Sequence, residues 1–142
     1  MTVVAINSFV RGLLEDRLPD WVEPRWFLTG EEMCATAPES EIAWFDAWDL
    51  DAKYQATELA TKARWINTLA AGVERFPLEL MRHRGVILTN GAGLNAIPIA
   101  EYIVMGMLVI AKGYRAIVRS QDEHRWLDNA PATGELEGSR AL

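Results

Sequence analysis

The chain has few of the residues that build disulfide frameworks and metal sites. Among 142 residues there are one cysteine, Cys34, and two histidines, His83 and His124. A single cysteine excludes an internal disulfide and a cysteine-rich zinc site, and two histidines leave little for a histidine-based metal site. We therefore assign no metal ligands. Cys34 has no basic neighbour in sequence, so we expect an inert thiol.

Positive charge and long apolar runs are also scarce. Fourteen Lys and Arg stand against twenty Asp and Glu, a net charge of −6, which excludes the counterion-releasing surface that nucleic-acid binding needs. No basic segment precedes the apolar start of the chain, so Met1–Asn7 predicts a strand and not a signal peptide. The uncharged run Tyr102–Ala111 is short of the roughly 20 residues that cross a bilayer. We expect a cytoplasmic protein without membrane or nucleic-acid partners.

Half of the residues are apolar, and the length suits one domain of about 100–200 residues. Short apolar runs without polar alternation are typical of strands buried on both faces. We predict strands at Val3–Ile6, Trp26–Leu28, Ile42–Phe45, Trp65–Leu69 and Val86–Leu88. Helical spacing between them predicts helices at Val10–Leu18, Asp51–Arg64 and Val73–Arg84. This alternation indicates an α/β fold with a mostly parallel sheet and helices on both faces, and we expect Gly30–Glu41 to be a loop or a single turn.

The longest predicted helix is Pro98–Arg119, in which proline is a good first residue. Its apolar positions cover most of the circumference, so we expect burial on more than one side. After Trp126 the segment Leu127–Ser139 is small, polar and turn-prone, which is typical of a linker.

The segment Gly91–Ala96 matches the pattern G-x-G-x-x-A between a strand and a helix. A dinucleotide-binding loop also needs a second strand that ends in Asp or Glu about 20 residues later, and here that position is still helical. We interpret these glycines as turn residues, with a cofactor loop as the alternative.

A second junction, Leu69–Val73, contains Ala70, Ala71 and Gly72 between a predicted strand and a predicted helix. Small residues there expose backbone N–H groups at the carboxyl end of a strand, where ligands of such sheets bind and where an anion would be held. The alternative is tight packing without a ligand.

The ionisable residues form no recognisable catalytic set. Glu101 lies in the first turn of the long helix, where the dipole stabilises a carboxylate whatever its function. His83 and His124 stand among charged residues and are expected to face solvent. From the residues alone, the chain is an α/β ligand-binding domain.

Three blocks within Trp65–Trp126 are more informative together than apart. They are W-I-N-T-L-A-A-G-V-E-R-F-P, G-V-I-L-T-N-G-A-G-L-N-A-I-P-I-A-E-Y-I-V-M-G-M-L-V-I-A-K and R-S-Q-D-E-H-R-W. In this order they resemble the D-isomer-specific 2-hydroxyacid dehydrogenases, the family of phosphoglycerate, glycerate/hydroxypyruvate, D-lactate and formate dehydrogenases. The residues before them match that family only in strand–helix rhythm.

The resemblance implies the N-terminal part of a two-domain enzyme. Residues 1–97 would be a flavodoxin-like substrate domain with about five parallel strands, and residues 98–126 an interdomain helix. Residues 127–142 would be a linker that contains Glu135–Gly138, a match to E-L-x-G, and leads to a missing NAD-binding domain. The family's catalytic Arg, Glu and His would lie in that missing part, so we assign no catalytic residue here.

The resemblance also implies a few binding residues. Ala70, Ala71 and Gly72 match the loop that holds the substrate carboxylate through backbone N–H groups, and Asn90 matches a position that lines the cleft. Ala96 and Ile99 match positions that touch the nicotinamide side of the cofactor.

Two functions from different classes follow. The first is a fragment of an NAD- or NADP-dependent oxidoreductase that interconverts a 2-hydroxy acid and its 2-keto acid, inactive by itself and part of a homodimer. In the second, the chain is a stand-alone binding or dimerisation module of the same fold. The coding sequence downstream of codon 142 would distinguish them.

Overall fold

A computed structural model, which describes residues 1–140, contains one sheet of five parallel strands. The strands are β1 Thr2–Asn7, β2 Val22–Phe27, β3 Ile42–Trp44, β4 Trp65–Asn67 and β5 Ile87–Thr89. Their order is β2-β1-β3-β4-β5, the flavodoxin-like arrangement of a doubly wound sheet. The predicted fold class is confirmed, and all five predicted strands are present within a few residues.

Between β1 and β5, helices alternate with the strands along the chain. They are α1 Arg11–Leu14, α2 Gly30–Thr36, α3 Leu50–Leu59 and α4 Leu78–Arg84, with 3-10 turns at Ser8–Val10, Glu15–Arg17 and Ala37–Glu39. Helix α2 corrects our expectation of a loop at Gly30–Glu41. It is stabilised at its start by a capping box, in which Thr29 Oγ1 accepts from the Glu32 N–H and the Glu32 carboxylate accepts from the Thr29 N–H.

All three helices predicted between the strands are shorter in the structure. The predicted helix Asp51–Arg64 corresponds to α3, which ends at Leu59. The predicted helix Val10–Leu18 is one α-turn between two 3-10 turns. The predicted helix Val73–Arg84 begins only at Leu78, because Pro77 disfavours helical backbone at Phe76. Consequently Ala70–Gly72 belong to a loop, and not to the start of a helix.

The core of the sheet is built from a few large side chains and many alanines. Phe27 and Phe45 pack with ring centroids 6.2 Å apart, and Met33 and Ile66 are fully buried beside them. Ala56, in α3, and Ala60, directly after it, are buried in the same cluster, where small side chains allow α3 to pack closely against the rest of the core.

Contacts divide the chain into Met1–Gly93, which holds the whole sheet, and a second unit that begins at Leu94. The second unit contains α5 Ala96–Ala111 and α6 Tyr114–Asp122, bent by 72° where we predicted one helix over Pro98–Arg119. The break lies at Gly113, whose φ of 61° is the left-handed conformation that commonly ends a helix. Any side chain on Gly113 would press on Ala132.

No residue of α5 is buried in the structure. Within residues 1–140, no single helix is long and apolar enough to cross a membrane, and the bent pair α5 and α6 passes that test by length and composition only. The assignment of residues 1–97, 98–126 and 127–142 to parts of a larger enzyme remains a prediction.

Candidate functional site

Polar residues gather where the parallel strands end, at the carboxyl edge of the sheet. Asn7 closes β1, Asp46 follows β3, Thr68 follows β4 and Asn90 follows β5. Because parallel strands all end at one edge, residues far apart in sequence meet there, and this edge is where doubly wound sheets bind ligands.

Asp46 connects three of these strand ends. Its Oδ1 accepts from Thr68 Oγ1 at 2.6 Å and from Lys53 Nζ at 3.3 Å. Its Oδ2 accepts from the Leu69 N–H at 2.6 Å and from Trp44 Nε1 at 2.7 Å, and its backbone carbonyl accepts from Asn7 Nδ2. The carboxylate is therefore saturated with donors, and it is held as an anion.

The pKa of Asp46 reflects this environment. Burial alone raises the pKa of the carboxyl group, and this is the largest single effect. The hydrogen bonds from Thr68, the Leu69 N–H and Trp44, with the charge of Lys53, together outweigh it and bring the pKa below the ordinary value. Asp46 is thus a structural anion near neutral pH, and is not available as a general acid.

The loop after β4 carries the predicted carboxylate-binding residues, and its carbonyl groups are tied to the segment after β5. The Ala70 carbonyl accepts from the Gly91 N–H at 3.0 Å, and the Ala71 carbonyl accepts from Asn90 Nδ2 at 2.7 Å. In a trans peptide the N–H points opposite to the carbonyl. The N–H groups of Ala71 and Gly72 therefore point away from Asn90 and Gly91.

These two N–H groups are free donors. Ala70 donates its own N–H to Thr68 Oγ1 at 3.2 Å, whereas Ala71 and Gly72 donate to no atom of residues 1–140. All three residues are exposed. Two adjacent free N–H groups can both donate hydrogen bonds to one carboxylate or other small anion.

Two details correct the expectation at this loop. The free N–H groups do not stand at a helix N-terminus, because α4 begins at Leu78, so no helix dipole contributes. In addition, the Glu74 carboxylate lies against Gly72, in the space that a Cβ on Gly72 would take. Its negative charge opposes an anion bound at the same loop.

Asn90, which we predict to line the cleft, forms hydrogen bonds with its neighbours through its side chain. Its side chain is exposed, but Nδ2 binds the Ala71 carbonyl and Oδ1 accepts from the Ala92 N–H at 3.4 Å. In the structure Asn90 orients the loop, and a ligand contact by Asn90 remains a prediction.

The predicted cofactor contacts, Ala96 and Ile99, lie in the second unit. Both are in the first turn of α5, and both are exposed. Glu101 lines a groove of about 890 Å³ along the same helix. Nothing in the structure tests a cofactor contact by these residues.

The remaining candidates stay outside the site. His83 is exposed in the last turn of α4. Burial, with a smaller contribution from the charge of Asp49, raises the pKa of the Cys34 thiol, which opposes thiolate formation. Among residues 1–140, no three His, Cys, Asp or Glu side chains are grouped to hold a metal ion.

Sequence reasoning missed Asp46, Lys53 and Thr68. One signal was present: Asp46 directly follows the predicted strand Ile42–Phe45, at the end where such sheets place functional groups. No sequence pattern linked it to Lys53 or Thr68, because these contacts join three separate elements.

Solved structures share this architecture. No protein-family model matches the chain. The D-lactate dehydrogenase of Aquifex aeolicus, complexed with NAD and lactic acid, matches with a TM-score of 0.62 at 14% identity, over 94% of this chain and 41% of that chain. The NAD-complexed D-isomer-specific 2-hydroxyacid dehydrogenase of Lactobacillus delbrueckii ssp. bulgaricus matches with a TM-score of 0.58 at 15% identity, over 92% of this chain and 43% of that chain. The fold is that of the D-isomer-specific 2-hydroxyacid dehydrogenases.

A third similar structure is the NAD-dependent formate dehydrogenase of Staphylococcus aureus in complex with NAD, with a TM-score of 0.56 at 16% identity, over 89% of this chain and 43% of that one. The chain therefore spans less than half the length of the dehydrogenases it matches. At these identities the similarity establishes the fold alone, and it agrees with the resemblance found in Trp65–Trp126.

Proposed function

We propose that this chain is the substrate-binding part of an NAD- or NADP-dependent oxidoreductase that interconverts a D-2-hydroxy acid and its 2-keto acid. The observation that carries the proposal is the pair of free N–H groups at Ala71 and Gly72, at the carboxyl edge of a dehydrogenase-type sheet. They would hold the carboxylate that all such substrates share.

The rest of the reaction would belong to other parts of the enzyme. The cofactor carries the hydride, and the protein orients the substrate and supplies the acid or base. Ala96 and Ile99 would touch the nicotinamide side of the cofactor, which is bound mainly by a further domain. We further propose a homodimer in the cytoplasm.

The test is a titration of the 15N-labelled chain with pyruvate, followed by NMR. We expect amide shifts at Ala71 and Gly72 with a dissociation constant in the millimolar range, about −4 kcal/mol. Pyruvamide, which has the same shape without the negative charge, should cause no such shifts. Equal shifts with both compounds, or shifts only elsewhere, would contradict the carboxylate site.

Glu74 provides a variant that sharpens this test. Glu74→Gln should strengthen pyruvate binding severalfold, because two unit charges about 4 Å apart interact by about 1 kcal/mol in water. The matched control is Glu79→Gln on α4, whose carboxylate binds Arg82 at 2.9 Å and lies outside the loop. An equal effect of the two variants would indicate that Glu74 does not face the ligand.

One observation favours a second candidate, a binding or dimerisation module. The groove along α5 is lined by apolar side chains that are about half exposed, among them Val104, Met105 and Leu108. Such a surface is typical of an interaction site. In this alternative the chain would associate through α5 without catalysis.

A further inference from the structure

Lys53 is the most deeply buried charged side chain among the residues described, and the proposed function does not use it. Its side chain is 6% exposed, and its ammonium group has two neighbours. One is Asp46 Oδ1 at 3.3 Å, and the other is the ring of Phe76, whose centroid is 5.5 Å from Nζ. A buried ammonium is costly unless it is paired, so this placement requires an explanation.

The two neighbours of Lys53 hold opposite ends of the loop Leu69–Phe76. Asp46 holds its beginning, through the Leu69 N–H and Thr68 Oγ1. Phe76 holds its end, because the ring is buried in the core and the Phe76 N–H closes a turn on the Val73 carbonyl at 3.0 Å. Lys53, from α3, contacts both anchors.

A short hydrogen-bonded chain continues from Asp46 into the loop. Thr68 gives its hydroxyl proton to Asp46, and the same oxygen then accepts from the Ala70 N–H at 3.2 Å. With its N–H held there and its carbonyl held by Gly91, the backbone on both sides of Ala70 is fixed. Because Ala70 is fixed, the peptide groups that carry the Ala71 and Gly72 N–H groups are oriented as well.

We propose that Asp46 and Lys53 act as a positioning pair that sets the direction of the Ala71 and Gly72 N–H groups. The proposal rests on the proposed function, since these groups are its carboxylate donors. Neither Asp46 nor Lys53 touches the ligand; both act through the two ends of the loop.

Two variants remove the pair in different ways. Asp46→Asn replaces one acceptor oxygen with an NH₂ group, which can only donate. In one orientation this NH₂ group faces the Lys53 ammonium, and in the other it faces the Leu69 N–H and Trp44 Nε1, so donor meets donor in both. Lys53→Met keeps an unbranched side chain of similar size, and it leaves the Asp46 carboxylate with three donors and some exposure, so this variant should fold. Ser40→Ala is the structural control, because it removes a buried hydrogen bond to the Thr36 carbonyl at the opposite end of β3.

The experiment measures pyruvate binding and amide hydrogen exchange on the full chain. Both Asp46→Asn and Lys53→Met should weaken pyruvate binding by about tenfold, the effect of losing one charge-assisted hydrogen bond. They should also lose exchange protection at the Gly91 N–H, which binds the Ala70 carbonyl and contacts neither variant side chain. Ser40→Ala should lower stability and change neither readout.

The outcomes separate this proposal from the proposed function. If pyruvate does not shift Ala71 and Gly72 in the unmodified chain, the carboxylate site is wrong, and exchange at Gly91 still decides whether the pair positions the loop. If Lys53→Met leaves both pyruvate affinity and Gly91 protection unchanged, the positioning pair is overturned.

Discussion

The two units of the chain differ in what their apolar residues do. In Met1–Gly93 the large side chains Phe27, Phe45 and Met33 are buried by their own sheet and helices. In the unit that begins at Leu94, Ile103 is 52% exposed and Ile110 is 81% exposed. A helix that is apolar around most of its circumference is ordinarily covered by other elements. Apolar composition is thus similar in the two units. The described residues of the first unit include a buried apolar cluster, although side chains such as Phe9 and Trp48 are exposed there too, whereas no apolar residue of α5 is buried.

This difference assigns folding stability to the first unit and association with other molecules to the surface of α5. The first unit contains the buried apolar cluster, so we expect its stability to depend on internal packing. The surface of α5 contributes little to internal packing, so we expect changes there to alter association and leave the fold intact. The following experiments test this division.

The largest effect is expected in the core. Phe45→Ala should destabilise the chain by about 3–5 kcal/mol, because it removes a fully buried ring and leaves a cavity. Urea unfolding followed by tryptophan fluorescence reports this change, since Trp21 to Trp65 account for five of the six tryptophans. Ile110→Ala should change the unfolding free energy by less than about 0.5 kcal/mol. Similar losses for both variants would contradict the division.

The next effect concerns self-association through α5. Replacing Ile103 and Ile110 together with Glu should weaken any self-association by at least about tenfold, since each buried aliphatic side chain contributes about 1.5–3 kcal/mol. Analytical ultracentrifugation measures the change. Leu13→Glu is the control, because the 70% exposure of Leu13 lies between those of Ile103 and Ile110, and Leu13 is in the first unit. An unmodified chain that sediments as a monomer at high concentration would refute association through α5.

A smaller effect is expected from two glycines of the second unit. Gly113→Ala should destabilise the bend by about 1–2 kcal/mol, because a left-handed φ of 61° is unfavourable for alanine. Gly106→Ala, in the middle of α5 with open space around it, should stabilise the helix by about 0.5–1 kcal/mol. Amide exchange at Lys112 and Ala116 distinguishes the two, and effects of the same sign would refute this account of the bend.

The smallest effect is expected from acid titration of Asp46, whose carboxylate is partly exposed. Its pKa is lowered in the folded protein, so the folded state binds fewer protons than the unfolded chain. The stabilisation is complete above the ordinary pKa of an aspartate, and it is lost as the pH falls through the lowered folded value. Urea unfolding at several pH values below about 5 gives the free energy of unfolding as a function of pH. This free energy should fall less steeply with falling pH for Asp46→Asn than for the unmodified chain. Asp16→Asn, at an exposed position, should keep the steeper profile.

The strand pattern and the fold class could be predicted from local sequence. Five short apolar runs, each followed by a helical or turn-forming segment, indicate a parallel sheet, because strands covered on both faces need no polar alternation. Helix ends were less predictable. The capping box at Thr29 and Glu32 was readable in the sequence and would have predicted α2. Similarly, Pro77 marks the start of α4 because proline disfavours helical backbone at the residue before it, and Gly113 marks the end of α5 because glycine readily adopts the left-handed conformation.

The candidate site could be predicted only in part. The segment Ala70–Gly72 is recognisable because small residues at a strand end are a local feature, and the resemblance pointed to the same loop. The sequence alone determined the sheet, its strand ends and the position of this loop. Only the tertiary structure decided that Ala71 and Gly72 have free N–H groups and that Asp46 and Lys53 hold the loop. Those facts depend on hydrogen bonds between residues about 20 positions apart, which form only when parallel strands bring their ends to one edge.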